Sequence, residues 1–571
     1  MNTKLFQKLV ILTPVLTTLF VTDQLLDPFN VGKFAVLVTL TALILLTFSF
    51  HKKNYLGTSI DKALIFLLFC FVFSQVIVAI FNHQNFYRAT LGIWGRNNGI
   101  LSYLGLSIVL FFSYVLVKQG GDLRLVKALS YLGIFESVYG LMQWQHADFF
   151  QFSFIGSPVF LTLGNEDFSS VFLVLGIIAT IYLMTFHKSD VQKFALTCGA
   201  LFQAIIMLEM NTAQSKIGLG LSLSIYTLFN LNNFVKRSQR HFYSAILIGI
   251  VGIFSLTVGF LGQGPLSFIS HNLSSLYSRY LHWVAGWKMF LSKPFFGVGI
   301  DSYGDYQPFY RILDKNGVPD TYSNNAHNLI VQFLATGGLL LALSFLAIYV
   351  FSLSRLFALI KNSEVTKACK SFYCSLFLIF TLNVLIGIDN LGLIVWFYAL
   401  IGSLIAMSVS RQTNSDTTKK SKQLSVKKFS FLSMLSLSLG AALLILSFFP
   451  WKNVYMEAQL QNLFVKTNQQ GVNSDLMTKI DQRGRSIVDS ETRMLAIKFL
   501  YEANQNLLAY NLSKDTSDKF PRSLRALEAM YQYDVKFGNI EKAISIKKKL
   551  IGLDPLNQEF KKDLDSLVKN K

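Results

Sequence analysis

LYSRYLHWVAGWKMFLSKPFFGVGIDSYGDYQPFYRILDKNGVPDTYSNNAHNLIVQFLATGGLL, residues Leu276 to Leu340, is the stretch on which the reading of this chain turns. It sets Arg279, Lys288, Lys293, Arg311 and His327 among tyrosines and tryptophans, while the sequence around it runs in long blocks of Phe, Leu, Ile and Val. A polar segment of that length between apolar runs is either a working loop or a disordered one. Its density of Trp, Tyr and Phe argues against disorder, because disordered segments are poor in aromatics. The expectation is a structured polar loop held in place by the apolar runs that flank it.

Those runs set the class. The chain has 571 residues, of which 52% are hydrophobic, 14% aromatic and only 15% charged; a mean hydropathy of +0.44 excludes a water-soluble globule for most of its length. Such a composition predicts an all-α polytopic membrane bundle. The net charge of +20 does not point to nucleic acid, since the basic residues sit in short clusters between apolar runs, where cytoplasmic loops carry them. Cys70, Cys198, Cys369 and Cys374 all fall in or beside apolar segments, so no disulfide framework is visible. The N-terminal MNTKLFQK leads into an apolar run without an evident small-residue cleavage site and reads as a retained first span.

Thirteen runs are long enough to cross a hydrocarbon core of about 30 Å. They lie near 9–27, 31–50, 61–81, 99–117, 125–143, 167–186, 194–210, 215–231, 242–262, 326–352, 371–388, 391–409 and 430–449. Every second connection is basic, with Lys52 and Lys53, Lys118 and Arg124, Lys188 and Lys193, Lys236 to Arg240, Arg355 to Lys370, and Arg411 to Lys428. Placing these inside puts the N-terminus in the cytoplasm and the long loop outside. The resulting division is spans one to nine in 1–262, a large extracytoplasmic loop in 263–325, spans ten to thirteen in 326–450, and an extracytoplasmic soluble region in 451–571. That last region turns charged and helical after Pro450 and Trp451, and Pro521 and Pro555 stand 34 residues apart with Gly538 and Ala543 between them. This is the period of a tetratricopeptide hairpin, with residues 476 to 512 expected to supply degenerate partner helices.

Ionisable residues next to membrane spans are the default functional candidates. Asp167, Glu209, Lys216, His327 and Asp389 all fall at the outer ends of their predicted spans, and Arg96 and Arg279 come from outer loops, so a shared outward-facing polar cavity is the economical explanation. Plainer readings stand beside this one. Arg279 and Lys293 suit interfacial snorkelling, Lys216 suits a helix anchor paired with Glu209, His327 suits a loop hydrogen bond, and Asp389 with Asn390 suits a turn. Glu136, the most deeply placed acid, suits a helix-to-helix hydrogen bond.

Converging guanidinium and ammonium groups match the oxygens of a diphosphate, and a histidine beside them can take a proton from an attacking hydroxyl. Together they describe group transfer from a lipid diphosphate. The sequence holds no GxxxxGK[ST] loop, and no HExxH, DxD or tight carboxylate pair lies near His327, so a reaction without metal, nucleotide or other cofactor is expected.

The stretches SRYLHWVAGWKMFLSKPFFGVGIDSY, AHNLIVQFLATGG, WGRNNGIL, LTLGNEDFSSVFL and NTAQSKIGLGLSL resemble, in content and order, those of the O-antigen ligase and polymerase superfamily, over roughly residues 90 to 410. That resemblance implies a bundle of about a dozen spans with a large extracytoplasmic loop, and transfer of a glycan from undecaprenyl diphosphate to an acceptor hydroxyl. It implies that Arg279 holds the diphosphate and that His327 of the AHN motif is the activating base. Lys216 stands where many relatives carry arginine, which weakens forked phosphate recognition. Arg96 and Asn165 fall in recurrent motifs, and Glu209 and Asn328 complete the expected substrate-binding set. The implied partners are the lipid-linked glycan, a glycan, lipid or protein acceptor, the bilayer, and a protein or glycan contact on the C-terminal repeats. Ligase and polymerase share this donor site. A lipid-glycan flippase or exporter is the competing class, and it would need polar residues through the inner half of the membrane, where few are found.

Overall fold

A computed structural model describes residues 3–50, 59–152, 158–210, 212–231, 274–409 and 422–569. These residues are helical, with no strand among them. The first half carries α1 (Thr3–Leu19), α2 (Val31–Ser49), α3 (Ser59–Phe81), the short α4 (Phe86–Leu91), α5 (Ile100–Lys118), α6 (Asp122–Trp144), α7 (Glu166–Met184), α8 (Asp190–Glu209) and α9 (Ala213–Leu231). The second half carries α10 (Ser274–Ser292), α11 (Tyr303–Tyr310), α12 (Leu329–Lys361), α13 (Lys367–Ile386), α14 (Leu391–Met407), α15 (Lys422–Leu446) and α16 (Phe448–Gln470). Six further helices follow: α17 (Ser474–Ser486), α18 (Ser490–Glu502), α19 (Asn506–Lys519), α20 (Leu524–Lys536), α21 (Ile540–Leu553) and α22 (Gln558–Lys569).

Twelve of the thirteen apolar runs coincide with helices α1 to α3, α5 to α9 and α12 to α15. The thirteenth, 242–262, lies outside the described residues. Among the described residues nine helices are long and apolar enough to cross a membrane, and α14 is apolar but shorter. Helix is the form these runs must take in lipid, because it satisfies every backbone polar group within the segment. The all-α polytopic bundle expected from composition is therefore the fold observed.

The segment 263–325, expected as a loop, contains α10 and α11. Helix α12 is 33 residues long, about 50 Å at 1.5 Å per residue, well beyond the hydrocarbon core. It breaks at Gly338, whose φ of 64° lies in the left-handed region. Into this break docks the turn after α10: Val298 N–H donates to the Ala335 carbonyl and Gly299 N–H to that of Thr336, both at 2.9 Å, and Leu339 N–H returns to the Pro294 carbonyl at 2.8 Å. The approach leaves no room for side chains, since a Cβ on Gly297 would stand 2.5 Å from the Ala335 oxygen and one on Gly338 would stand 2.4 Å from the Phe295 carbonyl.

Among the described residues, hydrophobic packing falls into three clusters. The large one joins α1 to α3, α5 to α7 and α12 to α14, a second fills the C-terminal helices around Leu460, Ile480 and Leu512, and a small third cluster of Met289, Val298, Tyr303, Ala326 and Ala335 seats the α10–α11 region on α12. The buried Glu136 accepts from the Thr162 N–H at 3.2 Å and from its hydroxyl at 2.5 Å, and Lys33 Nζ donates to the Thr162 carbonyl at 2.8 Å. Glu136 thus ties α6 to the segment before α7. Helix α16 runs across residue 451, and the consecutive helices beyond it pack on their neighbours. The C-terminal helices touch the loop region at named points. Arg311 forks onto Asp554 at 2.6 and 3.1 Å, Arg522 lies 4.0 Å over the Tyr306 ring, and Trp94 Nε1–H donates to Glu457 at 2.9 Å.

Candidate functional site

Helix α10 carries the first part of the site on one face. Arg279 and His282 are three residues apart and therefore neighbours on the helix surface. Arg279 Nη1 donates to the Ile386 carbonyl, the last residue of α13, at 3.0 Å, and Nη2 lies 3.4 Å from Asp167 Oδ2 in the first turn of α7. One guanidinium thus gathers the start of α7 and the end of α13. Asp167 is 44% exposed against 16% for Arg279, so this ion pair is open to water on its acidic side.

His327 reaches the same region from the loop before α12. Its backbone is left-handed, with φ of 54°, and its conformation is held on both sides. The His327 N–H donates to Asn325 Oδ1 at 2.9 Å, the Ala326 N–H to Gln332 Oε1 at 2.9 Å, and the His327 carbonyl accepts from Trp283 Nε1–H at 3.3 Å. A non-glycine residue held at positive φ is a strained position of the kind that clusters at working sites. The His327 ring stacks on that of His282, with centroids 5.4 Å apart and planes 24° from parallel.

The surroundings keep His327 uncharged. Burial first, then the charges of Arg279, His282 and Arg96, push its imidazole down to about 3, so at neutral pH it is a neutral ring that both donates and accepts. Arg96 approaches through the α4–α5 connection, where its Nε–H donates to Asn324 Oδ1 at 3.2 Å. Below it, the Asp301 carboxylate accepts from the Ile93 N–H at 2.6 Å; burial raises its pKa to about 6 against the pull of Arg88. Asp389 accepts from the Tyr103 hydroxyl at 2.8 Å, and burial lifts it to about 7.

Of the residues singled out in the sequence, Arg279, His327 and Arg96 come together. Asn165 and Asn328 serve as helix N-caps, accepting from the Asp167 N–H at 2.8 Å and the Val331 N–H at 3.0 Å, the role their residue type favours. Glu209 and Lys216 stand exposed at the α8–α9 turn. That turn is tied to α7 by the Ser170–Thr212 hydroxyl pair at 2.7 Å, so it adjoins the helix that supplies Asp167. Asn390 is a helix cap, as a turn former should be, and both it and the neighbouring Asp389 are buried. Sequence reasoning passed over His282 and Asp320. The three-residue spacing from Arg279 was a usable signal for His282; nothing local marks Asp320, which meets it only through the fold.

Residues 198–346 match the family model described as O-antigen ligase. The match spans Lys216, Arg279 and His327. No curated protein matches the chain.

Proposed function

Proceeding from an O-antigen ligase domain, we propose that this chain moves a glycan from an undecaprenyl-diphosphate donor to an acceptor hydroxyl on the outer face of the membrane. The observation that carries the reading is the convergence of Arg279, Arg96 and a neutral His327, drawn from three separate parts of the chain. Arginine stays charged at all working pH values and its forked donors match phosphate oxygens. Two such groups stabilise the charge that develops as the sugar–phosphate bond breaks, so leaving-group departure needs neither metal nor nucleotide. Lys216, at the neighbouring turn, adds a point charge for the donor's second phosphate. The energy of transfer comes from the donor itself.

Replacing Arg279 or His327 by alanine is expected to raise the cellular pool of undecaprenyl-linked glycan several-fold while the protein remains in the membrane. Normal pools in both variants would remove the transferase reading and return the flippase class. The proposed orientation rests on the alternation of basic connections and has its own test. Asn316 is exposed in the α11–α12 loop, so Asn316→Cys should react with an impermeant thiol reagent on spheroplasts above the level set by the native cysteines. Labelling only after lysis would invert the topology.

A further inference from the structure

Transfer to a hydroxyl needs a group that takes the hydroxyl's proton, and His327 is poorly suited to the task. A ring pushed down to about 3 and flanked by two guanidinium groups holds a proton badly. A second imidazole lies against it. His282 is 4% exposed, and its two ring nitrogens face opposite kinds of partner. Nδ1 stands 2.8 Å from Oδ2 of Asp320, itself 4% exposed. Nε2 stands 3.4 Å from the hydroxyl of Ser278, one helical turn back on α10 and half-buried beside Arg279. The approach of Nδ1 to the carboxylate is too bent for a hydrogen bond, so the two groups are in close contact only, and neither atom has a hydrogen-bonding partner among the described residues.

The backbone that carries this carboxylate is held on both sides. The Asp320 N–H donates to the Ile312 carbonyl at 3.0 Å and its carbonyl accepts from Arg311 Nη1 at 2.7 Å, with Arg311 anchored in turn on Asp554. The fully buried Tyr303 donates its hydroxyl to the His282 carbonyl at 2.6 Å. A buried carboxylate facing a buried imidazole is costly unless the two are matched. A histidine turned by a carboxylate at Nδ1 presents Nε2 as its acceptor nitrogen, and here Nε2 points at a hydroxyl.

Resting on the transferase reading, we propose that Ser278, His282 and Asp320 form the proton-accepting chain of this site. The acceptor hydroxyl passes its proton to Ser278 Oγ as the Ser278 proton moves to His282 Nε2. The acceptor oxygen bonds to the anomeric carbon, the bond from that carbon to the diphosphate breaks, and its electron pair leaves on undecaprenyl diphosphate. Asp320 faces the imidazolium so formed with one negative charge. Ser278 is the group that meets substrate; His282 and Asp320 act through it and are positioning residues. His327 remains a neutral partner for phosphate oxygens.

The test follows the endogenous undecaprenyl-linked glycan in membrane vesicles containing the full-length chain, with its turnover measured from pH 5 to 10. The titratable and charged groups that face His282 are Asp320, His327 and Tyr303, with Arg279 and Arg96 acting on His327, and all are kept in the His282 and Ser278 variants. His282→Phe retains a ring to stack on His327 and should lose about 10²-fold of the rate at pH 7, the usual worth of general-base catalysis. The deficit should shrink toward high pH, where hydroxide takes over the proton removal that His282 no longer performs. Asp320→Asn should show a smaller loss with the same trend, and Ser278→Thr, which keeps the hydroxyl, should outperform Ser278→Ala. A lesion of folding slows turnover equally at every pH, so a pH-invariant deficit in His282→Phe with no rescue by Ser278→Thr overturns the chain. Wild-type turnover in His282→Phe with Arg279→Ala still blocked also overturns it and leaves the transferase standing. Wild-type turnover in both His282→Phe and Arg279→Ala removes the two together.

Discussion

A neutral His327 changes what acid does to the folded chain. An imidazole in the unfolded chain titrates near 6.5, whereas this one titrates at about 3, so between those values the unfolded chain binds a proton that the folded one refuses. The stability associated with this position is complete above pH 6.5 and drains away as the pH falls toward 3. Asp301 and Asp389, raised to about 6 and about 7, act with the opposite sign. Their contribution is complete below the ordinary carboxylate range near 4 and is lost as the pH climbs through their raised values. The histidine's share is isolated by comparing wild type with His327→Gln. Melting of the detergent-solubilised proteins at pH 7 and pH 4.5 should show a clearly smaller acid-induced fall in Tm for the variant. An equal fall in both would mean that His327 titrates as an ordinary surface histidine.

At the scale of elements, the seat of the site is the broken helix α12 and the turn that fills its break. Backbone groups of residues 294–299 and 335–340 bond to one another across a gap that admits no side chain at Gly297 or Gly338. Gly338→Ala should cost about 1–3 kcal/mol in backbone strain alone, before the clash with the Phe295 carbonyl is relieved. The expected result is a lowered Tm and a reduced yield of monodisperse protein in detergent. An unchanged Tm would show that the break is not where the sequence KPFFGVG is anchored. This docking also marks where the sequence stopped being readable. The spans were legible because a run of Phe, Leu and Ile in lipid has one way to satisfy its backbone. Helix α10 was hidden, since its aromatic and basic residues have the composition of a polar loop while their spacing builds a helix with Arg279 and His282 on one side. The glycine pairs in the two motifs were visible, but the backbone-to-backbone seat they permit was not.

At the scale of the whole molecule, the site is assembled from the α4–α5 connection, the starts of α7 and α12, the end of α13 and one face of α10. Arg279 and His327 were legible as ionisable residues at the edges of apolar runs, and so was Arg96. Asn165 and Asn328 stood out through the motifs that hold them, and both cap their helices, because asparagine at a helix start bonds its own backbone whether or not a substrate is near. Asp320 was invisible, since it is placed by a loop whose far side, through Arg311 and Asp554, is fixed by the C-terminal helices. The central claim is that these separated residues make one metal-independent and nucleotide-independent transferase. Its most direct measurement uses the purified full-length chain in proteoliposomes made with lipid extract that carries undecaprenyl-diphosphate-linked glycan, in EDTA and without nucleotide. Release of undecaprenyl diphosphate by the wild type, abolished by Arg279→Ala, is the predicted result; no release by a folded wild type, or equal release by the variant, would contradict it.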